Sequence, residues 1–528
     1  MGAARAGRGF WLLILALGTA ALAPASAAAV PQPAVPLIAS GPAPSTPAYT
    51  GHPATPDPFG GGWRAPQNPF MAPNPLNGVH NDTWMTDDYP GYRGPLGRRP
   101  RVFDTAIQRD CITLAFDSKG RIVGSCTDLS NGPALYMLDP DTLDLLAFKQ
   151  MPYVPPPPGT NPALNTTGGA YFYLDNHDRA VFATSDRRIF VVGETTQGGE
   201  PAFEVLSRYD PTPCLRPGER MPSVLPDHQG RLWFVGRQDG TVGVLNRRTR
   251  RCSSIVLGEE VENSFAIARD GAYVVTDRAL YKLRAEGGLR PHIVWQARYE
   301  NTGTQKTGQI NAGSGTTPTL LVPRRNHHGD PAYVAITDNA DPLNVLVYRA
   351  ADRAHGRRRV CRVPVFEKGA SADENSLIAA GSSLFAENNY GYDLLAFNDV
   401  LGNGLPVGGD LGLVSEPGIA RIDIRRGGKG CRKVWTSNAV RPASVVSKGN
   451  SRSGILYTFE NAKDPSVPGA DPWNWVAMSM RTGKVLWKQR AGYGGRFNNH
   501  YAGIAISPGP RPTLFLGGVG GIMALRDR

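Results

Sequence analysis

Short apolar segments separated by polar turns recur along the chain from about residue 110 to its end. Each unit contains an apolar strand, a turn with Asp and in most units Gly, two further apolar strands, and a charged fourth strand. The turns lie at residues 117–120, 175–178, 227–230 and 270–271, at spacings of 43 to 58 residues. Such turns join antiparallel strands because Gly tolerates the positive φ that they need. A four-stranded unit at this spacing is typical of a β-propeller blade.

We therefore predict an all-β fold, a single β-propeller of eight four-stranded blades. The first strands of the eight units start near Ile112, Ala170, Ser223, Phe265, Thr319, Leu377, Ser444 and Gly503. The last unit has only three strands, and residues 101–106 are expected to add the fourth. Pairing of the N- and C-terminal strands closes the ring and removes an exposed sheet edge. Seven blades are the alternative, because the long unit at residues 369–438 contains an irregular insert at 401–413.

The N-terminal region has a different pattern. Arg5 and Arg8 precede an apolar run at residues 10–22, and small residues follow at 25–27, which is typical of a secretory signal peptide. We assign residues 1–27 to this signal, 28–98 to a disordered or loosely draped leader rich in Pro and Gly, and 99–528 to the propeller. The leader lacks aliphatic periodicity and is expected to bury too little apolar surface to offset its ordering entropy. The mature protein is expected to be secreted, periplasmic or extracellular.

Composition and charge limit the partners. The 528 residues include 62 glycines and 46 prolines, which indicates many turns rather than long helices. The formal net charge of +12 favours solubility and loose attraction to anionic surfaces. No nucleic-acid-binding motif accompanies the arginine runs at 247–251 and 357–359, so we expect no nucleic-acid partner. We also expect a monomer without a stable membrane anchor.

Six cysteines in an exported chain indicate disulfide bonds. One pair flanks the first hairpin symmetrically, so its members are expected to face each other across neighbouring strands. A second pair lies in the basic fourth strands of consecutive units, and two cysteines remain. The candidate pairs are Cys111 with Cys126, Cys361 with Cys431, and Cys214 with Cys252. No cluster of Cys and His suggests a zinc-thiolate site.

Polar clusters precede several of the predicted inner strands, whose starts meet at one end of a propeller channel. The sequence Glu-Asn-Ser occurs twice, 112 residues apart, and Asn-Asn-His precedes the last unit. Carboxylate and amide oxygens are the ligands that Ca²⁺ prefers. The candidate ligands are Glu262, Asn263, Glu374, Asn375 and Asn499, and the candidate general base is His500. The alternative is an ordinary wet channel whose polar side chains bond one another and water.

One segment resembles a family of propeller enzymes. Residues 477–487, from Ala477 through Thr482 and Gly483 to Trp487, resemble the tryptophan-docking motif of quinoprotein (PQQ-dehydrogenase-like) eight-bladed propellers. The resemblance implies a similar fold over roughly 430 residues, in which Ala and Trp dock neighbouring blades. Quinoprotein dehydrogenases typically have two adjacent cysteines beside the quinone. No two cysteines are adjacent here, so we do not expect bound PQQ.

A second segment resembles another group of propellers. Residues 262–276 are similar to inner-strand segments of the paraoxonase, gluconolactonase and strictosidine-synthase group. Members of that group hold a channel Ca²⁺ with Glu, Asn and Asp, and many hydrolyse lactones or esters. The resemblance implies the same cofactor and chemistry for the two Glu-Asn-Ser clusters.

Three functions follow as hypotheses. The leading one is an exported propeller whose polar channel site, with Ca²⁺ as its expected cofactor, binds or hydrolyses a small lactone- or ester-like molecule. The second is a non-catalytic propeller that binds a component of the cell envelope. The third is a quinone-dependent dehydrogenase. The sequence leaves open whether the protein is an enzyme; if it is one, it favours a metal-assisted hydrolase over a PQQ dehydrogenase.

Overall fold

The computed structural model describes residues 1–2, 42–107, 109–128, 131–156, 165–323, 329–392, 415–462, 464–467, 470 and 472–528. Everything below concerns the compact unit Leu37–Arg528. The predicted signal peptide lies outside the described residues except for residues 1 and 2. The insert predicted at 401–413 lies outside them as well.

The chain forms eight antiparallel sheets of at least four strands, as predicted. Two strands precede the first blade: β1 (Tyr49–Gly51) and β2 (Arg101–Ala106). Blade 1 consists of β3 (Asp110–Phe116), β4 (Ile122–Asp128), β5 (Gly132–Leu138) and β6 (Leu145–Gln150), and blade 2 of β7 (Phe172–Leu174), β8 (Ala180–Ala183), β9 (Ile189–Gln197) and β10 (Glu200–Tyr209). Blade 3 consists of β11 (Val224–Pro226), β12 (Leu232–Val235), β13 (Thr241–Leu245) and β14 (Cys252–Val256), and blade 4 of β15 (Ala266–Ala268), β16 (Gly271–Val275), β17 (Ala279–Arg284) and β18 (His292–Arg298).

Blades 5 to 8 complete the ring. Blade 5 consists of β19 (Thr319–Pro323), β20 (Pro331–Thr337), β21 (Asn344–Arg349) and β22 (Arg359–Pro364), and blade 6 of β23 (Ile378–Ala380), β24 (Ser383–Glu387), β25 (Ile419–Ile424) and β26 (Cys431–Ser437). Blade 7 contains β27 (Lys448–Asn450), β28 (Ile455–Asn461), β29 (Pro472–Ser479) and β30 (Val485–Tyr493), and blade 8 contains β31 (Ala505–Ile506), β32 (Thr513–Gly518) and β33 (Gly521–Arg526). Helical structure in the described residues is limited to single 3₁₀ turns at Gly60–Gly62, Thr212–Cys214, Arg426–Gly428 and Gly495–Phe497.

The ring closes as predicted. Strand β2 pairs with β33 in a continuous antiparallel register, from Arg101 opposite Arg526 to Ala106 opposite Gly521. Blade 8 thus contains both ends of the propeller, and eight blades rather than seven are confirmed. The sequence pattern did not predict β1, which pairs with β30 and becomes a fifth, outermost strand of blade 7.

The recurring Asp turns have one local design in blades 1 to 3. In each turn, the Asp carboxylate accepts hydrogen bonds from the backbone N–H groups two and four residues later, at 2.8 to 3.2 Å. It also forms an ion pair of 2.5 to 2.6 Å with the Arg four residues later. The three aspartates are Asp117, Asp175 and Asp227. A buried carboxylate with this many donors fixes the hairpin between the first two strands of each blade.

All three predicted disulfides are present. Cys111 and Cys126 are directly opposite each other on β3 and β4. The bond between Cys361 on β22 and Cys431 on β26 joins the outer strands of blades 5 and 6. The third, Cys214–Cys252, fastens the 3₁₀ turn at Thr212–Cys214 to β14 of the next blade. The second and third of these disulfides therefore link neighbouring segments that the hydrogen-bonded sheets do not join.

The quinoprotein-like motif lies in blade 7. Ala477 on β29 is directly opposite Trp487 on β30, and Gly483 takes a positive φ of 71° in the turn between the strands. Trp487 is fully buried and lies so close to Gly97 of the leader that a Cβ there would be 2.6 Å from the indole ring. The Trp of the motif therefore packs blade 7 against the leader.

Residues 42–98 differ from the loosely draped leader that their composition suggested. Their central part, residues 68–89, is largely buried in the propeller channel, and we call it the plug. Successive plug carbonyls accept hydrogen bonds from inner-strand N–H groups of blades 4, 5, 6 and 7, at 2.7 to 2.8 Å. The donor and acceptor pairs are Ile267 with Thr83, Leu320 with Trp84, Ala379 with Thr86, and Gly449 with Asp87.

Blades 1 to 3 hold the plug near the ends of their inner strands. The N–H of Phe116 donates to the carbonyl of Leu76 at 3.1 Å. The side chain of Asn77 makes two hydrogen bonds of 2.7 Å with the backbone of Leu174. The amide of Asn68 donates to the carbonyl of Pro226 at 2.9 Å. The plug thus enters the channel from the end at which the inner strands end. It contacts all eight blades, since Tyr89 also packs against Ile506 on β31 of blade 8.

A buried charge pair fastens the plug to blade 7. Lys448, at the start of β27, donates to the carboxylate of Asp87 and to the carbonyl of Val79. Both charged side chains are inaccessible to solvent. Burial acts to raise the pKa of Asp87, but the charges of Lys448 and His80 outweigh it, and the pKa is lowered. Asp87 is therefore an anion, and it depends on its cationic partners inside the channel.

Substitution of Lys448 by Met is expected to destabilise the protein strongly. The change leaves the carboxylate of Asp87 buried without its main cation, which typically costs about 3 to 5 kcal/mol. A lower denaturation midpoint, measured with urea, would show the loss. The double variant Lys448→Met with Asp87→Asn removes both charges and should recover a large part of it. A single variant as stable as the wild type would contradict the role of this pair.

Candidate functional site

The predicted site residues meet where the inner strands begin, at the other end of the channel. A cavity of about 50 Å³ lies on the axis there. Four of the six predicted residues line it: Asn263, Glu374, Asn375 and His500. Glu262 is in direct side-chain contact with Glu374. Asn499 is not among the lining residues.

The two glutamates of the repeated Glu-Asn-Ser clusters face each other. Both side chains are buried, and their carboxyl groups lie within hydrogen-bonding reach of each other. None of the four carboxyl oxygens has a hydrogen bond of good geometry in the described residues, although the hydroxyl of Thr166 lies near Glu262 and the N–H of Ile310 near Glu374. Burial, and then the charge of Glu262, raise the pKa of Glu374 well above its ordinary value, and burial raises that of Glu262. Such a pair holds either a shared proton or a cation.

Asn263 and Tyr171 form one side of the cavity. The amide of Asn263 donates to the carbonyl of Gly315 at 2.5 Å, and its oxygen accepts from the hydroxyl of Tyr171 at 2.7 Å. Burial, and then the charges of Glu262 and Glu374, raise the pKa of Tyr171 well above its ordinary value. Tyr171 therefore stays a neutral donor beside the carboxyl pair.

Asn375 and Asn499 have different positions. The amide of Asn375 donates to the carbonyl of Val445 at 2.7 Å and to Glu387 at 3.3 Å, while its oxygen has no donor among the described residues. The amide of Asn499 donates to backbone carbonyls, with Gly517 at 3.0 Å as the nearer partner. Asn375 can thus offer an oxygen to a ligand in the cavity. Asn499 instead ties the chain ahead of β31 to β32.

His500 belongs to a dyad. Its Nδ1 is 2.6 Å from Oδ2 of Asp110, the first residue of β3. A carboxylate at Nδ1 favours the tautomer with the proton on that nitrogen, so that Nε2 is the basic atom of the ring. The contact joins blade 8 to blade 1 at the cavity. The sequence singled out His500 but not its partner, which is separated from it by 390 residues.

A covering segment, residues 299–318 between β18 and β19, passes over this end of the channel. The hydroxyl of Tyr501 donates to the carbonyl of Gly308 at 2.8 Å, and Nζ of Lys306 donates to the carbonyl of Ala340 at 2.6 Å. Ile310 of the same segment lines the cavity. The plug thus encloses the site from below, and the covering segment encloses it from above.

The plug also contributes to the site from below. His80 lines the cavity, and its Nδ1 lies 3.2 Å from Asp87 and 2.7 Å from the hydroxyl of Ser376. Sequence reasoning did not select His80, Tyr171 or Tyr501 as site residues. The first lies in a leader without periodicity, and single tyrosines give no repeat signal.

The described residues limit which ions and cofactors fit. They contain no group of three or more His, Cys, Asp and Glu side chains that could hold a metal ion. A cation here would depend on the two glutamates together with amide and backbone oxygens, as Ca²⁺ sites often do. Pockets for drug-sized ligands usually have about 300 to 1,000 Å³. At about 50 Å³, the cavity that these residues form is well below that range and smaller than a tricyclic quinone.

Comparison with known proteins supports the fold. The sequence matches no protein-family profile. An uncharacterized protein of Archaeoglobus fulgidus is 25% identical over 497 residues, which cover 87% of this chain and 90% of that protein. Among solved structures, the quinohemoprotein alcohol dehydrogenase ADHIIG of Pseudomonas putida HK5 superposes with a TM-score of 0.50 at 10% identity. The superposition covers 87% of this chain and 82% of the enzyme.

A further similar structure is a protein-binding propeller. Sqt1 of Chaetomium thermophilum, bound to the N-terminus of the ribosomal protein L10, has a TM-score of 0.47 and 12% identity, with 81% of this chain and 98% of Sqt1 covered. The sheet topology and the likeness to the quinohemoprotein enzyme show an eight-bladed β-propeller fold. Neighbours of this fold differ in function. Among the residues that the structure describes, no helix combines the length and apolar character needed to cross a membrane.

The raised pKa values of the buried carboxyl groups determine how the stability of the metal-free protein depends on pH. Burial raises the pKa of Glu387 to about 8, far above the ordinary value of 4.5. The folded protein therefore holds a proton that the unfolded chain releases between about pH 4.5 and 8, so stability decreases as the pH rises through this window. In EDTA, the melting temperature should fall between pH 5 and pH 8, and Glu387→Gln should reduce the fall. A melting temperature that rises over this range would contradict the prediction.

Proposed function

We propose that this chain is an exported β-propeller whose channel holds one hard divalent cation, Ca²⁺, between Glu262 and Glu374. We further propose that this site binds or hydrolyses a small ester- or lactone-like molecule. The observation behind the proposal is the buried carboxyl pair, whose four oxygens have no hydrogen bond of good geometry among the described residues. Three disulfides, which are typical of an oxidising compartment, support export.

The donor set suits a hard cation. Ca²⁺ takes six to eight oxygen ligands in flexible geometry. The two glutamates and the side-chain oxygen of Asn375 supply five oxygens that have no hydrogen bond of good geometry in the described part of the chain. A cavity of about 50 Å³ has room for one ion and a water molecule or two. Water can complete the coordination.

Hydrolysis would use residues around the same cavity. A bound Ca²⁺ would supply a Lewis acid that polarises the carbonyl of an ester or lactone. Asp110 orients His500, whose Nε2 could then take a proton from an attacking water. Tyr171 is held neutral and could donate a hydrogen bond to a substrate oxygen. Because the cavity is small, a substrate would reach it only when the covering segment moves away from Tyr501.

A second candidate is a non-catalytic propeller that binds a component of the cell envelope. The closure of the cavity by the plug and the covering segment favours this alternative, since a structural cation needs no access. In that case the ion would stabilise the junction of blades 4 and 6, where the two glutamates lie, and partners would bind the outer surfaces. The two candidates share the cation and differ in turnover and in the surface that binds a partner.

Calcium titration tests the cation. Isothermal titration of the chelator-treated protein should show one Ca²⁺ per chain and a higher melting temperature. Glu374→Gln should weaken binding about tenfold or more, because the amide removes one of two charges that face the ion. Glu204→Gln, on the exposed part of β10, is the matched control and should bind as the wild type does. Absence of saturable Ca²⁺ binding by the wild type would refute the proposal.

Turnover separates the two candidates. Calcium-loaded protein is incubated with δ-valerolactone and with phenyl acetate, and hydrolysis is followed by pH-stat titration. If the site is catalytic, His500→Asn should abolish hydrolysis while the variant still binds Ca²⁺. Calcium binding without hydrolysis of either compound would favour the non-catalytic propeller.

A further inference from the structure

A second and larger cavity lies entirely within the leader. Its volume is about 400 Å³, and all of its lining residues belong to residues 63–92, with none from a blade. The lining residues are Trp63, Arg64, Ala65, Gln67, Asn74, Pro75, Asp82, Thr86, Asp88, Pro90, Gly91 and Tyr92. The volume is in the range of pockets that hold small organic ligands. We call this cavity the leader pocket.

Buried carboxyl groups form its floor. Asp82 accepts hydrogen bonds from the N–H of Trp84 at 2.8 Å and from the hydroxyl of Thr86 at 2.5 Å. Asp88 is 2% exposed, and its Oδ1 accepts from the N–H of Ser451 at 2.9 Å. Oδ2 of Asp88 is buried and has no hydrogen-bond partner among the described residues. An unsatisfied buried carboxylate oxygen is costly, so its place in a cavity points to a missing donor.

The walls are aromatic and the rim is basic. Trp63 and Tyr92 are half-buried, and the ring of Trp63 packs against that of Trp84 with centroids 5.7 Å apart. Nε1 of Trp63 likewise has no acceptor in the described part of the chain. Arg64 is exposed at the rim and lies close to Gly91, with a guanidinium nitrogen 3.5 Å from where a Cβ would stand. Burial raises the pKa of Asp88 to about 6 and that of Asp82 to about 7, so at pH 7 and above Asp88 is the main negative charge of the floor, opposite the basic rim.

We propose that the leader pocket binds a small organic ammonium compound, whose cationic group contacts Oδ2 of Asp88 between the rings of Trp63 and Tyr92. Aromatic faces attract organic cations, and a buried carboxylate supplies the counter-charge. A bare metal ion fits less well, because the aromatic faces of Trp63 and Tyr92 and the rings of Pro75 and Pro90 are not metal ligands. An acid group at the other end of the ligand would meet Arg64, so a zwitterion gains a second contact.

The leader pocket is spatially separate from the cation site. Asp88 is bonded to Ser451, just after β27 ends, whereas the two glutamates precede β15 and β23. The two sites thus lie toward opposite ends of the channel, with the plug between them. Binding measurements in EDTA therefore address the leader pocket alone.

Titration with simple probes tests the proposal in the full chain. Choline, glycine betaine, and 3,3-dimethylbutan-1-ol, the neutral isostere of choline, are titrated in EDTA, and tryptophan fluorescence and calorimetry are recorded. Choline should bind saturably and at least about tenfold more tightly than the neutral isostere, since each 1.4 kcal/mol of charge interaction is a factor of about ten. Equal binding of choline and its isostere, or no binding of choline or betaine, would overturn the proposal.

Substitutions in the leader pocket test where the probe binds. Asp88→Asn should abolish choline binding, whereas Asp57→Asn, an exposed acid of the same leader outside the pocket, should leave it unchanged. If Asp88→Asn does not fold, the exposed Arg64 gives an independent test. Arg64→Gln should weaken the binding of betaine relative to choline. Retention of choline binding by a folded Asp88→Asn variant, or an unchanged ratio in Arg64→Gln, would contradict the assigned orientation.

Discussion

The inner edges of the blades impose the constraint on which the rest of this structure depends. Each blade ends at the axis in a strand with one unpaired edge, and buried N–H and C=O groups without partners are costly. Solvent can satisfy such edges in an open channel, but here the plug does so. Carbonyls of Thr83, Trp84, Thr86 and Asp87 accept hydrogen bonds from four successive blades. A segment without a sheet of its own is thereby ordered by the edges of other sheets.

Filling the channel with protein brings charges out of water. Asp87 and Lys448 compensate each other, and His80 and Ser376 complete the polar contacts around them. At the glutamates before the inner strands, burial raises both pKa values, and at Glu262 it outweighs the opposing charge of Arg237. The same closure that orders the leader therefore creates a carboxyl pair that requires a proton or a metal ion. This is why the cation hypothesis depends on the plug as much as on the glutamates.

Sequence patterns predicted what local chemistry determines. The Asp117 turn and its equivalents are stabilised by hydrogen bonds within five residues, so a short sequence pattern predicts them. The Cys111–Cys126 bond follows from the symmetry of one hairpin. The repeat of Glu-Asn-Ser correctly brought Glu262 and Glu374 together, because equivalent positions of different blades meet at the axis. The plug could not be predicted in this way, since its partners are the inner parts of all eight blades and its own residues have no period. Asp110 was missed as the partner of His500 for the same reason.

The position of the leader also separates two kinds of chemistry. Toward one end of the channel, the starts of the inner strands surround a cavity of about 50 Å³, which we proposed above as the site of a cation. Toward the other, the leader alone builds a pocket of about 400 Å³ with aromatic walls, which suits an organic molecule. Asp82 and His80 lie in the plug between them and border one further small cavity together. Any ligand that displaces or tightens the plug at the leader pocket would therefore act on the residues that support the carboxyl pair.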